Sequence, residues 1–331
     1  MKKKNFNAAD FFGKFGIVII LILLVALFSV LNAKFISIDN IVNILRQVAI
    51  TGIIAVGMTM VLVTGGIDLS VGSVAGMGTV FCAMMLLGGM PWPVALLICV
   101  VGGFVIGVIN AFLINRLSIP PLIATLGMCT SLRGVCYLVT AGKPVFGFPG
   151  DILFLGKGSV LGIPWPVIIM VIVFILGILF LQKTRYGTYI YGIGGNEEAC
   201  RLAGVNIKKL KYFIYMFSGF LAGLSACVLL SRVNSGQPKA GTGFEFEVIT
   251  AVVLGGVSIK GGAGNIWGVL VGVLIMGIMK NGFVLMNVNE YLQMVLQGFV
   301  LLAAVSFDIL MNRPAKLTKE KILEDSAAKQ A

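Results

Sequence analysis

Between two apolar runs the chain reads LVTGGIDLSVGS, from Leu62 to Ser73. A carboxylate, two serines and a glycine pair stand there among residues otherwise suited to a bilayer. A charged side chain at the centre of a membrane costs roughly 2.5–3.5 kcal/mol on insertion scales, so Asp68 has a reason to be present. Two chemistries fit. Gly65 and Gly66 relax the second span, and Asp68 or Ser70 then caps a helix beginning near Val71, at an end of that span that water reaches. Alternatively, Asp68 gates a path or handles protons. A second segment, VLGGVSIKGGA at 253–263, repeats the pattern, with Gly255, Gly256 and Ser258 where the first has Gly65, Gly66 and Asp68. Paired interruptions of this kind flank the substrate path in many transporters.

Other polar residues also fall in or near apolar segments. Arg133, in TSLRGVCYL, either donates to substrate hydroxyls or pairs with an acid such as Glu245 or Glu247. Asn110, Asn115, Asn281 and Gln297 line a path or bond neighbouring helices. Gly264, Gly268 and Gly272 are spaced four apart and permit close helix contact. The sequence has no histidine, which removes His-dependent acid–base chemistry and His-liganded metals. There is no GxxxxGK[ST] phosphate loop, and GGAGNIWG at 261–268 lacks dinucleotide-fingerprint spacing, so no cofactor site is expected. Cys82, Cys99, Cys129, Cys136, Cys200 and Cys227 form no CxxC pair, and five of them lie in apolar runs, which reads as packing.

The elements that hold these residues are membrane spans. The 331 residues are 58% hydrophobic and only 11% charged, against roughly 45–50% and about 25% in soluble domains. Apolar runs recur along the whole length, which predicts an all-α polytopic membrane protein and excludes the short alternating strands of a β-barrel. Ten spans are expected, at about 15–32, 47–63, 71–88, 92–114, 120–140, 162–181, 212–231, 246–258, 264–280 and 291–309. The eighth is too short for a comfortable crossing and is expected to be broken or re-entrant. The first resembles a signal peptide but has a longer apolar core and no A-x-A-like site, and reads as an uncleaved span.

With the N-terminus inside, most of the 25 lysines and arginines fall on the inner side, so both termini are expected in the cytoplasm. Topology accounts for the charge of +12 better than nucleic-acid binding does. The expected division is a cytoplasmic tail (1–14), a transmembrane domain (15–310) with an inner loop at 182–211, and a second cytoplasmic tail (311–331). Within that loop Asn196 suits an N-cap, Glu197 and Glu198 the first turn, and Gly204 the end of a short helix. Such a helix suits docking of a cytoplasmic partner. The outer loop at 141–161 is too small to be a catalytic domain.

The segments GMTMVLVTGGIDLSVGS, YIYGIGGNEEACRLAGVN, GQPKAGTGFEFEVITAVVLGGVSIKGGAGNIWG and NGFVLMNVNEYLQMVLQGFVLLAAVSFD resemble the permease subunits of ribose-type ABC importers, in order and over roughly 35–310. That resemblance implies a homodimer in a bacterial plasma membrane with a sugar pathway on its axis. It implies a separate cytoplasmic ABC ATPase docked at about Asn196–Asn206, with Glu197, Glu198, Arg201, Leu202 and Gly204 at the contact. It further implies an extracytoplasmic sugar-binding protein on the outer loops and no catalytic residue in this chain. Ribose is the favoured cargo; another pentose, a hexose such as galactose, a nucleoside or a sugar-derived signal are alternatives. An ion-coupled secondary transporter using Asp68, Glu245 or Glu247, and a purely structural scaffold, are the other readings of the sequence.

Overall fold

The computed structural model describes residues 8–311, with side chains over 16–309. Residues 1–7 of the expected N-terminal tail, and the C-terminal tail beyond Met311, lie outside the described residues. The fold is all-helical apart from one small hairpin. Its helices are α1 (Ala8–Leu31), α2 (Ile38–Val63), α3 (Val71–Leu87), α4 (Trp92–Asn115), α5 (Pro121–Thr140), α6 (Phe154–Lys157), α7 (Trp165–Lys183), α8 (Arg185–Gly195), α9 (Glu197–Leu202), α10 (Ile207–Val233), α11 (Phe244–Leu254), α12 (Ile266–Leu285) and α13 (Glu290–Met311). A two-stranded hairpin, β1 (Ser159–Val160) with β2 (Ile163–Pro164), lies between α6 and α7.

Among the described residues, seven helices are long and apolar enough to cross a membrane: α2, α4, α5, α7, α10, α12 and α13. The apolar part of α1, Gly16–Leu31, and the whole of α3 are shorter. Helix α11 has 11 residues, in keeping with the expected interrupted eighth span, and ends at the Gly255–Gly256 turn rather than at 258. Helix α2 begins at Ile38, ahead of the expected 47, because Ser37 accepts from the Asn40 amide and starts a polar first turn. Prolines occupy the first turns of α4, α5 and α7, where their missing N–H is harmless.

The centre of the bundle is α10, which lies antiparallel against α4 and also packs on α2 and α3. Gly103 and Gly107 of α4 meet the backbone of α10 at Gly219, Gly223 and Tyr215, where any Cβ would collide. Small residues spaced four apart let two helix backbones touch, and the added dispersion contacts replace the hydrophobic drive that lipid cannot supply. The same device joins α12 to α11: Gly268 and Gly272 sit on the carbonyls of Gly255 and Ala251. Gly264 precedes α12 and supports its entry turn instead.

Candidate functional site

Helix α2 ends at Val63, and residues 64–70 form an irregular ascent into the bundle before α3 begins. Gly65 has φ +75°, a left-handed conformation glycine adopts without cost, and its backbone lies against Lys260 and Gly261. The Gly262 amide donates to the Val63 carbonyl at 2.8 Å. The two look-alike segments therefore abut each other at the end of the bundle that carries α8 and α9.

Asp68 is buried at 1% exposure, so the expectation that water reaches it is corrected. One carboxylate oxygen accepts from the Ser70 amide (3.0 Å) and the Ser70 hydroxyl (2.6 Å); the other accepts from the Ser218 hydroxyl at 2.8 Å. Asn110 of α4 donates to Ser70 Oγ at 2.8 Å. The capping reading is corrected too: Ser70 holds the cap position of α3 without a side-chain cap bond, and Asp68 instead ties the break to α10. Ser218 stands about 16 Å along α10 from Ile207, at 1.5 Å per residue. The cluster is therefore internal. Thr125 of α5 donates to the Ile67 carbonyl (3.2 Å), and the Tyr215 hydroxyl beside Gly66 is buried without a hydrogen-bond partner among the described residues.

From the other end a Gly- and Pro-containing segment, 234–243, descends along α3. It starts with a bridge between Val145 and Gly236, passes Thr79 and Gly76, and brings Gly241 onto Gly72. Helix α11 starts there, so α3 and α11 are half-helices whose N-termini converge. Helix N-termini carry partial positive charge. Glu245, 7% exposed, lies between them; its Oε1 accepts from the Gly243 amide at 3.3 Å and its Oε2 is buried with no hydrogen-bond partner among the described residues. Arg133 pairs with neither acid and donates to the Ala240 carbonyl at 2.9 Å. Glu247 is held by Lys280 (2.7 Å) and Thr51 (3.0 Å). This arrangement offers hydrogen-bonding groups in an apolar bundle; among the described residues no cluster of metal-ligating side chains is present.

The second motif is a tight turn. Gly256 has φ +85°, the Ser258 amide donates to Ala263, and Ser258 Oγ (3.2 Å) and the Ile259 amide (3.3 Å) donate to Asp308 of α13. Gly255 sits on α12. Asn281 exchanges two 2.9 Å bonds with Asn40 and is a helix clasp. Gln297 is half-buried on α13. Ser218, Tyr215, Lys280 and Asp308 belong to this polar framework and were not singled out by pattern; Lys280 and Asp308 are solitary charges in apolar runs, the signal that marked Asp68 and Arg133.

The connection between α7 and α10 holds α8 and α9. Asn196 Oδ1 accepts from the Ala199 amide at 2.9 Å, as its place before two glutamates implies. Glu198 pairs with Arg201 (2.5 Å) and Glu197 with Lys211 of α10 (2.9 Å). Leu202 is 80% exposed, and Gly204, at φ +82°, turns the chain back toward α10. No residue of α9 is buried.

Residues 40–305 match the family described as branched-chain amino acid transport system / permease component. The chain is 41% identical to the ribose import permease protein of Haemophilus influenzae, covering 92% of this chain and 95% of that one. It is 43% identical to the ribose import permease protein of Bacillus subtilis over 93% and 96% of the two chains. It is 35% identical to the D-allose transport system permease protein of Escherichia coli over 94% and 96%. No solved structure matches.

Proposed function

The chain belongs to the branched-chain amino acid transport system / permease component family, and from that premise we propose that it is the translocating subunit of an ATP-driven importer of ribose. The observation that carries the reading is identity above 40% to ribose import permeases along more than nine-tenths of the chain. Ten crossings are counted by adding α1, α3 and α11 to the seven long helices, with the 64–70 and 234–243 segments as the interruptions. The α8–α9 end faces the cytoplasm of a bacterial inner membrane, with both termini on that side.

The protein works as a homodimer. Gly127, Thr130, Ser131 and Gly134 lie on one exposed face of α5, a poor face for lipid and a good one for close contact with a second copy beside a wet path. Phe246 of α11 and Thr242 just ahead of it are exposed as well. Gly65, Gly66, Asp68 and Ser70 anchor one interrupted segment, and Gly255, Gly256 and Ser258 the other; Gly194 and Gly195 at the end of α8 lie against Val63, Gly261 and Gly262, so that a movement of α9 passed through α8 reaches both. An ABC ATPase docks on Asn196–Gly204, and an extracytoplasmic sugar-binding protein docks on the 141–164 side. The chain itself hydrolyses nothing. Deleting it from its host should abolish uptake of labelled ribose at micromolar concentration and spare galactose. Retained ribose uptake with loss of another sugar would move the cargo and keep the class.

A further inference from the structure

A cleft of about 510 Å³ opens beside α8, lined by Phe180, Arg185, Tyr186, Tyr189, Lys209 and Phe213. It lies where α7 ends and α10 begins, at the polar–apolar boundary of the bundle. Arg185 and Lys209 are exposed, and neither has a carboxylate partner among the described residues. The Arg185 guanidinium lies 5.2 Å from the centre of the Tyr186 ring. Below the cations the wall is aromatic: Phe180 lies 5.2 Å from Phe213 and parallel to Tyr186. Phe213, Phe217 and Phe220 continue along one face of α10, stacked at 5.9 and 6.3 Å. Phe213 and Phe220 stay more than a third exposed.

We propose that this cleft is a binding site for an anionic phospholipid. Its phosphate sits between Arg185 and Lys209, and one acyl chain lies on the Phe213–Phe217–Phe220 ladder. The occupant follows from the two ends of the groove. The cations select an anion at the interface, and the aromatic strip leads from them into the hydrocarbon, where a soluble protein cannot follow. The cleft borders the α9 surface at Ala203 and Gly204, but its two cations stand on α8 and α10, and the site does not depend on which sugar is carried.

The test uses the purified full chain in a neutral detergent. Native mass spectrometry measures retention of dioleoyl phosphatidylglycerol against dioleoyl phosphatidylcholine. Phosphatidylglycerol should be retained preferentially, and Arg185→Gln with Lys209→Gln should lower that retention by about tenfold or more, each cation near an anionic headgroup contributing on this scale. Lys208→Gln, next in sequence but outside the cleft, should change nothing. Ala203→Trp, which fills the cleft from an exposed position, should lower retention of phosphatidylglycerol while both cations remain. Equal retention of the two lipids, or undiminished phosphatidylglycerol in the double variant, would overturn the proposal. So would weaker capture of the ATPase by the double variant with lipid retention intact, which would make the cleft a protein contact.

Discussion

At the residue scale the strongest statement concerns Asp68. A fully buried carboxylate survives in an apolar bundle because every bond it makes is to a donor that the fold supplies: the Ser70 amide, the Ser70 hydroxyl and the Ser218 hydroxyl. Ser218→Ala removes one donor and should cost about 1–3 kcal/mol, since it leaves a buried acceptor short of a partner. Asp68→Ala should cost more, and the double variant less than the sum, with a coupling of roughly 0.5–3 kcal/mol. Thermal unfolding of the four proteins in one detergent measures this; additive losses would mean that the two side chains act independently. That Asp68 mattered was legible in the sequence, because its cost in hydrocarbon is high. Its role was not, because Ser218 lies 150 positions away and an Asp two residues ahead of a serine reads locally as a cap.

The element scale belongs to the interrupted segments and to α9. The short eighth span was legible from length alone, and α11 stops where two glycines permit the turn. The descent of 234–243 along α3 was not, since GQPKAGTG reads as a surface loop until its glycines are seen against Gly72 and Thr79. The α4–α10 glycine contact is not legible for a related reason: the spacing is visible in each helix, but the pairing of helices is not. For α9, both the cap and the acidic first turn were legible in the residue types, and the exposed Leu202 adds an apolar contact at its end. Exchanging the charges, Glu198→Arg with Arg201→Glu, keeps the pair within the helix and inverts the surface it presents. A surface pair of this kind is worth only about 0–1 kcal/mol to the fold. The permease should therefore keep its melting temperature and lose most of its co-purifying ATPase; unchanged co-purification would remove α9 from the docking surface.

At the scale of the whole molecule, two half-helices converge on Glu245 from opposite ends of the bundle, and the two glycine-rich motifs touch beneath them. An arrangement in which irregular backbone packs against the helices of the bundle suits alternating access. It also bears on the energy source. Asp68 and Glu247 are held by structural partners, so Glu245 is the carboxylate on which an ion-coupled reading would rest. The most direct measurement is sugar entry into proteoliposomes that contain the permease with its ATPase and binding protein. The account predicts ribose accumulation that requires ATP and the binding protein and is indifferent to collapse of the proton and sodium gradients. Accumulation by the permease alone, driven by either gradient, would contradict it and return attention to Glu245.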